Sequence, residues 1–109
     1  GGNRDATKRP VMARIACQYS DLVILTSDNP RFEDPTQILE DMKKGVAIDE
    51  ESKTSVIENR REAIQQACVL AGAQDIVLIA GKGHETYQEI EGVRHSFDDR
   101  LVLNEFLNK

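Results

Sequence analysis

Two short, continuous apolar runs constrain the fold of this chain more than any other feature of its sequence. Residues 22–26 are LVILT and residues 76–80 are IVLIA, and both runs are rich in β-branched side chains. Runs of this length without polar alternation are typical of strands that are buried on both faces, as in a parallel sheet. A helical pattern precedes each run, over about residues 10–19 and 60–71. This order of elements predicts helices packed on a mostly parallel sheet.

Capping residues indicate where the helices begin and end. Asp34 is a good N-cap and Pro35 suits a first helical turn, so we predict a helix over residues 35–44. Asn59 begins a capping box at the start of the helix over residues 60–71. Gly45 and Gly72 follow these two helices and are expected to end them. Gly72 is expected to do so with a positive φ.

The last third of the chain contains a β-hairpin signal. Glu91-Gly92 separates residues 87–90 from residues 93–97, and such a two-residue connection favours a tight hairpin. A closing helix is expected from Asp98 to about residue 107, and four residues are expected on its apolar side: Leu101, Val102, Phe106 and Leu107. Two further segments are predicted to be a polar loop and a short strand: residues 49–53 and 54–57. The predicted fold class is a Rossmann-like, mostly parallel α/β sheet flanked by helices, with an antiparallel hairpin at its edge.

Composition limits the functions that are open to this chain. Its 109 residues suit one domain, and a net charge of −5 without a basic cluster disfavours nucleic acid, whose phosphates need clustered Lys and Arg. No apolar run approaches the ~20 residues that span a bilayer and no signal peptide is visible, so no membrane contact is expected. Cys17 and Cys68 lie in apolar helical patterns without metal-binding spacing. We therefore expect buried, reduced thiols, no metal site and a cytoplasmic protein.

Ligands of α/β sheets bind beyond the carboxyl ends of the strands. That rule points to three loops: residues 1–8, 27–32 and 81–85. In the second loop, Pro30 keeps Asn29 out of the helical region, so Arg31 follows a rigid corner. A guanidinium in this position can bind a carboxylate through two parallel hydrogen bonds, and Asp28 nearby could take an ammonium. The residues leave open an ordinary Asn-Pro turn with a solvent-facing Arg.

The other two loops offer weaker signals. The third loop has the sequence GKGHE, and its glycines allow a close approach to a ligand or a positive-φ turn. It lacks the spacing of a Walker A loop, and His84 has no Cys or second His nearby. A plain glycine turn that leads into the hairpin is the alternative. In the first loop, Arg4 either clamps a ligand or is a solvated charge.

Taken in order, GGNRDATKRP, SDNPR and AGKGHE resemble the C-terminal domain of the Mur ligases, over essentially all 109 residues. The resemblance implies an ATP-dependent amide ligase with three domains. Its N-terminal domain holds a UDP-sugar, its central P-loop domain holds ATP and Mg²⁺, and its C-terminal domain brings in an amino acid whose amine attacks an acyl phosphate. Residues 1–109 contain no P-loop and open on Gly1-Gly2 without a Met. We therefore expect this single domain to be a fragment of a longer enzyme and to be inactive by itself.

The resemblance is greatest to the members that add meso-diaminopimelate to UDP-MurNAc-L-Ala-D-Glu in peptidoglycan synthesis. It implies contacts between that amino acid and seven residues: Arg4, Asp28, Asn29, Pro30, Arg31, Gly81 and Glu85. The distal end of meso-diaminopimelate carries a carboxylate, which suits Arg31, and an ammonium, which suits Asp28 and Glu85. Lysine has only the ammonium there, and lysine-adding relatives lack the Arg of this motif.

Two alternatives to this interpretation remain at the level of sequence. One is a ligase of the same family that adds lysine or another amino acid, against which Arg31 argues. The other is a free-standing α/β module that binds an anionic metabolite or nucleotide without catalysis. Many relatives have Asp where this chain has Asn3. The difference leaves the role of that side chain open, but it does not change the resemblance to the family.

Overall fold

Helices alternate with short strands in a computed structural model of the chain, which describes residues 6–81 and 85–107. The predicted helices and the hairpin are confirmed, with shifts of a few residues at their ends. The elements are α1 Lys8–Tyr19, β1 Val23–Leu25, α2 Pro35–Lys43, a 3-10 helix Ile48–Lys53, β2 Thr54–Val56, α3 Arg60–Leu70, β3 Tyr87–Ile90, β4 Val93–Ser96 and α4 Asp99–Leu107. No helix within the described residues is both long and apolar enough to cross a membrane.

The first sheet is parallel, but the first predicted strand pairs with the short strand near residues 54–57 and not with residues 76–80. β1 and β2 run parallel, with Val23 opposite Thr54 and Leu25 opposite Val56. The connection between them contains α2 and the 3-10 helix, and a parallel crossover needs a segment of this kind. α1, β1 and α2 bury their apolar side chains against one another to form the core: Ala13, Cys17, Val23, Leu25 and Leu39.

The second sheet is the predicted antiparallel hairpin of β3 and β4. Glu91 and Gly92 have φ angles of 51° and 80°, and two positive φ values at the centre of a two-residue turn are typical of type I′. A parallel bridge between Arg31 and Ile90 joins the hairpin to the loop that follows β1. The hairpin therefore lies beside the predicted ligand loop rather than at a remote edge.

The capping predictions hold for two helices. The side chain of Asp34 accepts a hydrogen bond from the backbone N–H of Thr36 at 2.9 Å, at the start of α2. Asn59 Oδ1 accepts one from the N–H of Glu62 at 3.0 Å, at the start of α3. Both side chains pair backbone donors that the helix itself leaves without an acceptor.

The prediction of a second buried strand is wrong for residues 76–80. This segment forms no β ladder with any described residue, and the side chains of Ile76 and Leu78 are 95% and 85% exposed. The apolar composition is that of a buried strand, but a strand also needs a neighbour that pairs with its backbone. Within the described residues, β1 pairs with β2 and β3 pairs with β4, so neither sheet includes this segment.

Four smaller predictions also need correction. Residues 49–53 fall in the 3-10 helix rather than in a loop. Gly72 has no positive φ: α3 ends at Leu70, and the N–H of Gly72 donates to the carboxylate of Asp75 at 2.7 Å. Leu101 and Leu107, expected on the apolar side of α4, are exposed. Both cysteines are free, but only Cys17 is buried, and Cys68 is half-buried.

Candidate functional site

The loop after β1 forms a rigid corner, as its sequence predicts. Asn29 and Pro30 are both buried, and Arg31 has a φ of 55°, an uncommon value for a residue with a side chain. The backbone N–H of Arg31 donates to the carbonyl oxygen of Glu89 at 2.9 Å. This contact with β3 maintains the positive-φ conformation and sets the direction in which the arginine side chain leaves the corner.

Asn29 joins the corner to the third loop and to the hairpin. Its side-chain Oδ1 accepts a hydrogen bond from the backbone N–H of Glu89 at 2.9 Å. Its Nδ2 donates to Glu85 Oε1 at 3.4 Å, and the other oxygen of Glu85 accepts from the hydroxyl of Tyr87 at 3.2 Å. A buried amide that satisfies both its oxygen and its nitrogen fixes the positions of the groups around it.

The guanidinium of Arg31 contacts an anion that the sequence analysis did not single out. Its Nε lies 3.2 Å from Glu89 Oε2, and its Nη1 donates to the carbonyl oxygen of Asn29 at 3.3 Å. The arginine side chain is only 16% exposed, so this charge is partly desolvated. Glu89 lies in the predicted strand 87–90, to which the sequence assigned no functional residue. The alternation of side chains along β3 was the only available signal that it faces the site.

Gly81 lies next to Asp28. Gly81 has a φ of 104°, and a Cβ built on it would be 3.8 Å from Asp28 Oδ2. Because a residue with a side chain rarely takes this φ, the sequence needs glycine where the chain leaves residues 76–80. The half-buried Asp28 is thus held between the corner after β1 and the start of the third loop.

The structure brings six of the seven predicted site residues into one cluster at the end of β1. They are Asp28, Asn29, Pro30, Arg31, Gly81 and Glu85. The seventh, Arg4, lies outside the described residues, as do Lys82, Gly83 and His84 of the third loop. Within the described part of the cluster, the guanidinium of Arg31 lies among several carboxylates, an arrangement that suits a zwitterionic ligand rather than a simple anion.

A buried arginine of α1 supports the corner. Arg9 contacts Glu33 and Asp41, each at 2.9 Å. Burial lowers the pKa of the Arg9 guanidinium, but its hydrogen bonds to Asp41 and Glu33 outweigh that effect and raise the pKa overall. The hydrogen bond from Arg9, followed by that from Gln37, lowers the pKa of the Asp41 carboxyl. Sequence reasoning missed Arg9, since nothing in a helical Lys-Arg-Pro marks one basic residue as buried.

The fold and the cluster define a class of protein: an α/β domain with candidate ligand loops at the end of β1. A protein-family model described as "Mur ligase, glutamate ligase domain" matches residues 1–83. The chain therefore belongs to the Mur ligase family.

Curated relatives match along nearly the whole chain. The chain is 62% identical over 108 residues to a UDP-N-acetylmuramoyl-L-alanyl-D-glutamate–2,6-diaminopimelate ligase of Cytophaga hutchinsonii, and 56% identical over 108 residues to the ligase of that name from Bacteroides thetaiotaomicron. Each match covers 99% of this chain and 22% of the relative. A solved structure of a ligase with the same name superimposes with a TM-score of 0.92 at 52% identity, over 99% of this chain and 22% of that chain. The chain thus spans about a fifth of the length of these proteins.

Proposed function

We propose that residues 1–109 are the amino-acid-binding domain of a longer, ATP-dependent ligase that joins meso-diaminopimelate to UDP-MurNAc-L-Ala-D-Glu. Relatives with the corresponding name, which are 46–62% identical to this chain, support the proposal. The observation that carries it is the guanidinium of Arg31, held between Glu89 and the carbonyl of Asn29 at the end of β1. A planar cation fixed in this way suits a carboxylate that lysine does not have.

The distal amino-acid head of meso-diaminopimelate has one carboxylate and one ammonium. In the proposed complex, Arg31 binds the carboxylate, and Asp28 and Glu85 bind the ammonium. The half-buried position of these groups strengthens charge-assisted hydrogen bonds, because less water competes for them. Cation and anions lie in one cluster, so the site fits both charges of the head at once.

The remaining predicted residues have positioning roles in this proposal. Asn29 and Pro30 set the corner from which Arg31 extends, and Gly81 lets the ligand approach the backbone. Arg4 is proposed to hold a carboxylate of the same ligand. None of these groups is a nucleophile or general base for the ligation, and the domain's contribution is to present the attacking amine in a fixed orientation.

Phosphoryl transfer is assigned to other parts of the longer protein. We propose that these parts bind ATP, Mg²⁺ and the UDP-linked dipeptide, since residues 1–109 contain no P-loop motif. The reaction is placed in the cytoplasm, where ATP is supplied. The exposed Ile76 and Leu78 agree with a larger protein, because apolar side chains on one segment are normally covered.

Ligation by the longer protein tests this proposal. The purified ligase is supplied with ATP, Mg²⁺ and UDP-MurNAc-L-Ala-D-Glu, and each of meso-diaminopimelate and lysine is offered as the acceptor. We expect product with meso-diaminopimelate and a specificity constant for lysine that is lower by two or more orders of magnitude. Preference for lysine would contradict the proposed substrate. Turnover by the 109-residue chain would contradict the division of labour.

A further inference from the structure

Among the described residues beside the site, Arg60 is the most completely buried charge, and the proposed chemistry gives it no role. It is the first residue of α3, and its side chain is 2% exposed. Its Nε donates to Asp99 Oδ1 at 2.8 Å and its Nη2 donates to Asp99 Oδ2 at 2.7 Å, so the two side chains form a bidentate pair between α3 and α4. A buried charge pair of this geometry is specific in orientation.

The same guanidinium also contacts both ligand-bearing segments. Its Nη1 donates to the carbonyl oxygen of Ser27 at 3.3 Å, and its Nη2 donates to the carbonyl oxygen of Ala80 at 3.2 Å. Ser27 immediately precedes Asp28, and Ala80 immediately precedes Gly81. One side chain therefore connects the last residue before the rigid corner to the last residue before the third loop.

No described β ladder joins these two segments. β1 pairs only with β2, and residues 76–80 belong to neither described sheet. Gly81 nevertheless lies beside Asp28. A sheet would fix this separation by backbone pairing, and here the fork of Arg60 bridges the two carbonyl groups. Asp99, bound to the other edge of the guanidinium, prevents that fork from rotating.

We infer that Arg60 is a positioning residue that sets the distance between the Asp28–Arg31 corner and the Gly81–Glu85 loop, with Asp99 orienting it. This inference rests on the proposed function, because the two loops are taken to bind opposite charges of one amino acid. A loop displaced by about 1 Å can reduce a reaction by about 100-fold, so the spacing of the two loops matters even though Arg60 touches no ligand. Arg60 acts on the binding of the amino acid and not on the nucleotide.

Arg61 provides a matched control on the same helix. It also joins α3 to α4, through an ion pair with Glu105 and by stacking over the ring of Phe106. Unlike Arg60, it is about half exposed, and no contact with either loop is among its described interactions. Arg61→Ala therefore loosens the same helix pair without removing the bridge between the loops.

The test uses the longer ligase with Arg60→Lys, which keeps the charge but loses the fork, and with Arg61→Ala. A second variant, Arg60→Met with Asp99→Leu, replaces the buried pair by apolar side chains of similar volume, an exchange that proteins often tolerate. We expect both Arg60 variants to raise the KM for meso-diaminopimelate by about 10- to 100-fold and to leave the KM for ATP unchanged. Arg61→Ala should change neither constant.

Hydrogen exchange gives a readout that is independent of the substrate. The backbone N–H of Arg31 donates to the carbonyl oxygen of Glu89, and the backbone N–H of Glu89 donates to Asn29 Oδ1. Both N–H groups should exchange at least about ten-fold faster in both Arg60 variants but not in Arg61→Ala. The inference would be overturned if folded Arg60 variants kept both the wild-type exchange rates and the wild-type KM for the amino acid. It would also be overturned if the KM for ATP rose together with that for the amino acid. If the wild-type ligase rejects meso-diaminopimelate, the proposed function fails, and the exchange rates still decide the role of Arg60.

Discussion

Glycine at position 45 is predicted to be necessary for the packing of α1 against the end of α2. A Cβ built on Gly45 would lie 1.8 Å from the carbonyl oxygen of Pro10 and 2.5 Å from its carbonyl carbon. Both are backbone atoms of α1, so no side-chain rotation can relieve the overlap, and the start of the helix must move by about 1 Å or more. Overpacking of this kind costs about 1–3 kcal/mol, and Gly45→Ala should lower the free energy of unfolding by that amount.

The assay is urea-induced unfolding of the 109-residue chain, followed by circular dichroism. Gly72→Ala is the control, because Gly72 has no positive φ and a Cβ there would meet its nearest neighbour, Asp75 Oδ2, at an ordinary 3.4 Å. That variant should be neutral or gain about 0.4–1 kcal/mol from the loss of unfolded-state entropy. Equal stability of Gly45→Ala and the wild type would refute the packing argument.

Two other predictions concern single carboxylates. Glu85→Gln in the longer ligase removes the negative charge that is proposed to bind the ammonium of the ligand. The KM for meso-diaminopimelate should therefore rise by about ten-fold or more, while the KM for ATP stays constant. A rise chiefly in the KM for ATP would instead indicate that this loop binds the nucleotide. The pKa of Asp41 is lower in the folded chain than in the unfolded chain. Its carboxylate therefore stabilises the fold fully when the pH is above the unfolded-state pKa, and this stabilisation is lost as the pH falls through the folded-state pKa. The stability difference between wild type and Asp41→Asn, measured by urea unfolding, should therefore shrink below about pH 4, and a constant difference would contradict it.

Local signals in the sequence predicted those elements whose stability is local. Asp34 and Asn59 cap helices through contacts two or three residues away, and Glu91-Gly92 needs only its own two positive φ values. The corner at Pro30 was predictable for the same reason, since proline restricts the residue before it. In each case the interaction that determines the conformation lies within a few residues along the chain.

The larger failures involve contacts between distant residues. Residues 76–80 have the composition of a buried strand, but pairing depends on a neighbour that composition does not specify. Glu89 and Arg60 are ordinary charged residues in their own elements, and only the fold brings one to Arg31 and the other to two carbonyl groups. The membership of the cluster came from the family resemblance, whereas its internal hydrogen bonds required the structure.

Discrimination between meso-diaminopimelate and lysine should depend on the guanidinium of Arg31. Because the Arg31 side chain is 16% exposed, loss of its contact with a ligand carboxylate should cost about 3–5 kcal/mol. In the longer ligase, Arg31→Ala should therefore lower the specificity constant for meso-diaminopimelate by about 100-fold or more and that for lysine far less. Arg31→Lys should rescue poorly, since an ammonium lacks the planar fork.

Arg94→Ala is the matched control for this measurement. Arg94 Nε lies 3.7 Å from the same Glu89 carboxylate, but its side chain is 66% exposed. The quantity to measure is the ratio of the specificity constants for meso-diaminopimelate and lysine in the wild type and in both variants. This ratio should collapse in Arg31→Ala and stay near the wild-type value in Arg94→Ala. A ratio that Arg31→Ala leaves unchanged would contradict the assignment of Arg31 to the distal carboxylate.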